Sequence, residues 1–147
     1  MKKESMKRRI LFPIIVFSLF VISIKCGKYV HPTIPGVQVD FTIYPNDPNY
    51  AALNHYGGYM YFTGGVNGIV VYRVDYDSFA AYDRACPYDW ENSNAWIRME
   101  DNGLILSDSC CGSQFNVLDG LPISGPSELA LKYYKTKYDG LRLRVYN

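Results

Sequence analysis

The sequence predicts an all-β domain of short strands joined by tight turns. Three features point there. Apolar Val39, Phe41 and Ile43 alternate with Asp40 and Thr42, the period of a half-buried strand. Aromatic and β-branched residues gather in brief runs, as at 59–63 and 68–74. Turn dipeptides punctuate the chain at Asn67-Gly68, Asn102-Gly103, Asp119-Gly120 and Asp139-Gly140. No long window has clean helical spacing, and residues 127–131 form one helical turn at most.

Taken in order, the chain of 147 residues starts with a basic head (Lys2, Lys3, Lys7, Arg8, Arg9) and an apolar run over 10–24. That run is short for a membrane span of roughly 20 residues and suits the apolar part of a signal peptide, here residues 1–25. Cys26 follows it directly and resembles the lipidation site of bacterial lipoproteins, although Ser23 and Lys25 stand where that pattern usually has leucine and a small residue. An uncleaved anchor, or cleavage elsewhere, is the other reading. The expectation is an exported lipoprotein, anchored in a membrane of the bacterial cell envelope. Residues 26–37, with His31, Pro32 and Pro35, read as a tether, because proline lacks an amide donor and restricts its neighbour. The domain proper is then 38–147, with strands expected at 39–43, 59–63, 68–74, 79–82, 96–99, 104–107, 114–118, 131–135 and 141–146.

Six of the 15 basic residues but only one of the 14 acidic ones lie in the first 25 positions, so the remainder is net negative. No lysine–arginine cluster follows, which excludes nucleic acid as a partner. Nothing resembles a Ser-His-Asp arrangement, a phosphate loop or a zinc pattern, and no enzyme is expected. Asp75, Asp77, Asp83, Asp89 and Glu91 form an acidic stretch, read as solvated strand and loop faces. The 14 tyrosines, with Trp90 and Trp96, are read mainly as packing for small sheets; an exposed subset would suit a glycan or a protein partner in the envelope.

Two segments carry the chemistry. One is Cys86-Pro87-Tyr88. The other is Asp108-Ser109-Cys110-Cys111-Gly112-Ser113-Gln114-Phe115, followed by Asp119-Gly120 and Ser124-Gly125-Pro126. Together they resemble the two loops of a Rieske-type iron–sulfur domain, written Cys-x-His and Cys-x-x-His-Gly-Ser-x-Phe with a Gly-Pro turn downstream. The resemblance covers about residues 68–146. It implies a Rieske-like fold of small stacked antiparallel sheets, with two site loops at one end. Gly112, Ser113, Phe115, Gly125 and Pro126 match as loop supports.

The family's cofactor is a two-iron, two-sulfur cluster held by two thiolates and two imidazoles. At the equivalent positions stand Cys86, Tyr88, Asp108 and Cys111, so only Cys86 matches a ligand and no cofactor or metal is expected. The resemblance then implies that the loops face a vacated space. Within it Cys86 would pair with Cys111, or alternatively with Cys110, in an inter-loop disulfide permitted by export. The first expectation for function is a cluster-free binding or structural module. The second is a Rieske-type electron-transfer protein with atypical ligands, and the third is a thiol–disulfide redox protein using Cys110 and Cys111.

Overall fold

The computed structural model describes residues 34–92 and 94–147. The expected signal peptide, Cys26 and the first part of the tether lie outside the described residues. Residues 34–37, assigned to the tether from sequence, are within them. Ile34 is buried, the Lys132 ammonium donates to the Pro35 carbonyl, and Asn147 Nδ2 donates to the Val37 carbonyl at 2.8 Å.

Among the described residues the strands form three antiparallel sheets. β1 (Asp40–Ile43), β9 (Lys135–Tyr138) and β10 (Leu143–Tyr146) make one, in the order β1-β10-β9. β2 (Tyr59–Phe62), β3 (Ile69–Arg73) and β4 (Phe79–Asp83) make the second, in chain order. β5 (Ile97–Met99), β6 (Ile105–Asp108), β7 (Gln114–Asn116) and β8 (Pro122–Ser124) make the third, also in chain order. The domain is all-β, with the stacked small sheets that the Rieske resemblance implies.

β3 explains the layering. All five of its residues are buried, because successive side chains enter opposite cores. Ile69 and Val71 join Val39, Ile43, Leu143 and Val145 between the first and second sheets. Val70 and Tyr72 join Ile97, Leu106, Phe115 and Val117 between the second sheet and the third. The second core is the floor on which the site rests, and Cys86 is part of it.

Most expected strands are present within a residue or two of their limits. The stretch at 131–135 differs. Asp83 N donates to the Lys132 carbonyl and Tyr134 N to the Ala81 carbonyl, each at 2.8 Å, so the chain does run beside β4. Only one bridge forms there, Tyr82 with Tyr133. Tyr134 turns its hydroxyl inward to Asp83, and the regular strand begins at Lys135. β8 was not anticipated, since Pro122 lacks a ladder donor; it survives as an edge strand, which tolerates proline. The short helical element is at Pro48–Asn54, a 3₁₀ segment, and not at 127–131. Asp47 caps it, accepting from Asn49 N at 2.8 Å, and Pro48 supplies the fixed φ of a first turn.

Candidate metal centre

The first site loop leaves β4 at Asp83. Asp89 N donates to the Cys86 carbonyl at 3.3 Å, closing a turn that brings residues 86 and 89 to the same side. Cys86 is fully buried, while Tyr88 at the turn's tip is 40% exposed. The second loop joins β6 to β7. Asp108 N donates to the Ser113 carbonyl and Gly112 N to the Asp108 carbonyl, both at 2.9 Å, so residues 108 and 111 also share a side.

Each loop therefore offers one thiol and one carboxyl three positions apart: Cys86 and Asp89, then Asp108 and Cys111. One donor atom from each of these four residues lies within 4.8 Å of the other three. The Cys86 and Cys111 sulfurs are 3.5 Å apart, and Asp108 is 99% buried by its 1% exposure. This is a candidate metal-binding cluster with cysteine and aspartate donors.

The second loop is held from several sides. Phe115 is fully buried in the core below the loop. Ser113 Oγ accepts from Ser127 N at 3.1 Å and from the Cys111 thiol at 3.1 Å, which ties the loop to the chain after the Gly125-Pro126 turn. Gly125 has φ +90°, and a Cβ there would stand 2.4 Å from Ser113 Cα. Only glycine permits that approach and that backbone angle.

The site is electrostatically incomplete. Burial pushes the Cys86 thiol far above its ordinary range. Burial, with the Asp108 carboxylate adding to it, raises the Asp89 carboxyl as well. Asp89 Oδ1 is shut off from solvent with no hydrogen bond of normal geometry. Among the described residues the ion pairs are Arg142–Asp139 and Arg144–Asp40, neither of which touches these carboxyls. Desolvation, with Asp89 and Asp108 nearby, also holds the exposed Cys110 thiol above its usual value. A thiol raised in this way is a poor nucleophile, which works against Cys110 as the attacking group in the metal-free site. A cation held by Cys86, Asp89, Asp108 and Cys111 would reverse the balance, by favouring the thiolates and pairing with both carboxylates.

Cys110 is exposed, and its sulfur accepts from Asn92 Nδ2 at 3.0 Å. Of the two disulfide pairings expected from sequence, the geometry brings Cys86 to Cys111; the three thiols are free in the structure. Two aspartates of the acidic stretch need correction. Asp83 is fully buried and Asp89 joins the candidate centre, so neither is a solvated face. The missed signal is the matched spacing of Cys86 to Asp89 and Asp108 to Cys111, which a turn converts into a shared side. Of the tryptophans, Trp96 is 42% exposed beneath the Arg84 guanidinium, 5.5 Å from its ring centre.

A two-iron, two-sulfur cluster does not fit these donors as they stand. The resemblance assigns residues 86 and 111 to opposite irons, with two sulfides lying between the metals. Their sulfurs stand 3.5 Å apart, which leaves no room for that core.

No protein-family model matches the chain, and no curated protein matches it. Among solved structures, a complex of reduced oxygenase and oxidised ferredoxin in carbazole 1,9a-dioxygenase aligns at a TM-score of 0.50 with 22% identity, over 74% of this chain and 94% of the other. The ferredoxin of carbazole 1,9a-dioxygenase from Nocardioides aromaticivorans IC177 aligns at 0.44 with 22% identity, over 62% of this chain and 86% of that one. A Mycobacterium tuberculosis protein described as an NADH-dependent nitrite reductase small subunit aligns at 0.43 with 16% identity, over 76% and 97%. At these identities the likeness concerns the fold.

Proposed function

We propose that this chain is an electron carrier, a Rieske-fold metalloprotein that holds iron through Cys86, Asp89, Asp108 and Cys111. The convergence of these four donors within 4.8 Å, two from each site loop, carries the reading. Four protein donors close a metal site and leave no position for a substrate, which suits a carrier better than an enzyme. Anionic donors in place of neutral imidazoles favour the oxidised ion, so the potential lies below that of a histidine-bearing centre. Asp89 and Cys111 are only half-buried, so the centre lies near the surface and an electron has a short path to a docked protein. The aligned complex of a ferredoxin with its oxygenase supports a protein as the acceptor. The export signal and lipidated Cys26 expected from sequence would hold this carrier at the envelope membrane.

The test is anaerobic loading of the reduced full chain with ferrous iron, followed by optical redox titration. The expected result is retained iron with a reversible one-electron transition. Iron that washes out, or that does not cycle, overturns the proposal.

The 3.5 Å separation of Cys86 and Cys111 favours one other reading. In an oxidising compartment the two thiols pass two protons and two electrons to an exported disulfide oxidant and bond to each other. The domain is then a cluster-free binding module of the envelope. Mass mapping of freshly isolated protein without reductant separates the two, since a Cys86–Cys111 bond in most chains selects the module.

A further inference from the structure

We infer that the centre takes a single metal ion without bridging sulfide, and that Asp89 rather than Tyr88 is the first loop's second ligand. The inference deepens the metalloprotein reading above and rests on it.

Size comes first. Two thiolates about 2.3 Å from one tetrahedral ion stand about 3.8 Å apart. The observed Cys86–Cys111 separation is 3.5 Å, and all four donor atoms lie within 4.8 Å of one another. Shifts of about an ångström therefore gather all four donors around one ion. A two-iron core demands the opposite movement, with Cys86 and Cys111 driven apart. Both loops resist that. Cys86 is fully buried in the core shared with Ile97, Leu106 and Phe115. The backbone of the second loop lies against Gly125, so closely that a methyl group there would meet Ser113 Cα at 2.4 Å.

The donors themselves come second. The resemblance gives the first loop's second ligand to position 88, yet Tyr88 is 40% exposed. Asp89 is the residue with an oxygen sealed from solvent and lacking a hydrogen bond of normal geometry, and that carboxyl belongs to the cluster. The two loops then contribute equally, each one sulfur and one oxygen at a spacing of three. Two thiolates with two carboxylates suit a divalent ion of the zinc or ferrous class.

The reduced full chain, held anaerobically, is loaded in parallel with zinc alone, with ferrous iron alone, and with ferrous iron plus sulfide. Metal and acid-labile sulfide per chain are then measured. One metal and no sulfide in every arm is the expected result. Two irons with two sulfides per chain overturn the single-ion inference and leave the iron-carrier proposal standing. One zinc bound but no iron retained supports the single ion and overturns the carrier. A chain that binds neither metal overturns both.

Ligand identity is read by titration with cobalt(II), whose visible bands report four-coordinate sulfur and oxygen donors. Asp89→Asn is expected to weaken cobalt binding by at least about 10–100-fold, the loss known even for residues that only orient a metal's ligands. Tyr88→Phe is expected to change it less than about twofold on the same scale. The reverse pattern overturns the assignment of Asp89. Asp89 is half-buried in a loop and asparagine matches its shape, so the variant keeps the fold.

Discussion

Two aspartates, six residues apart in sequence, stand in opposite circumstances: Asp83 is fully buried, and Asp89 is half-buried with one oxygen sealed from solvent. Asp83 ends β4 with four donors turned toward it. Val66 N donates to its Oδ2 at 2.7 Å, Asn67 N and Ala85 N to Oδ1 at 3.1 and 2.9 Å, and the Tyr134 hydroxyl to Oδ2 at 2.8 Å. It fastens the Gly64–Gly68 turn to β4 and to the chain leading into β9. Asp89 has no such set. It faces two thiols and a second carboxylate, and one of its oxygens has no hydrogen bond of normal geometry. A carboxylate buried among donors is structural, because its desolvation is offset locally. One set beside other acids lacks that offset and marks a candidate cation site.

The sharpest way to break this contrast is Asp83→Ala. It strands the buried Ala85 amide and Tyr134 phenol together with the part-buried Val66 and Asn67 amides, and the expected loss is about 4 kcal/mol in denaturant unfolding. A loss under about 1 kcal/mol would mean that Asp83 is not the fastening point described. Gly125→Ala follows. The strained backbone and the clash with Ser113 are expected to cost about 3 kcal/mol, with loss of metal uptake because the second loop shifts. Full metal uptake in this variant would show that the loop's tight closure is not needed.

Asp89→Asn should behave unlike either. Without metal it removes a half-buried acid that has one sealed, unsatisfied oxygen, and a gain of about 1 kcal/mol or less is expected. With metal at about 100 times the wild-type Kd, the wild type should gain about 2.7 kcal/mol and the variant, bound about 10–100-fold more weakly, about 0.4–1.4 kcal/mol. Equal gains would remove Asp89 from the ligand set. The smallest effect concerns the exposed Asp40, which serves as a control. The Arg144 guanidinium beside Asp40 holds its carboxyl below the usual range. A carboxyl lowered on folding contributes stability above its unfolded pKa, and that contribution fades as pH falls through the folded value. Arg144→Leu should flatten this acid-side slope slightly and leave the metal site untouched; an unchanged slope would show that the pair contributes nothing.

The strands and turns were legible in the sequence because they rest on local properties. Alternation marked β1, β-branched runs marked β3, and Asp139-Gly140 marked the last hairpin, where Gly140 has φ +89° and Asp139 Oδ1 accepts from Leu141 N and Arg142 N at 3.0 and 2.7 Å. β8 was not legible, because its proline weighs against a strand unless its edge position is known. The 3₁₀ segment was missed although Asp47-Pro48 carries its cap and first turn.

The sequence alone therefore determined the all-β class, most of the strands and turns, and the two loops that would meet. Periodicity, turn chemistry and motif spacing are properties of neighbouring residues, and they survive without coordinates. Only the tertiary structure decided which acids matter. Asp75, Asp83 and Asp89 read alike along the chain, yet one is exposed, one is bound by four donors and one faces thiols. Burial and the charge of distant neighbours set a carboxylate's role, and both arise only when β4, the site loops and the segment around Tyr134 pack together.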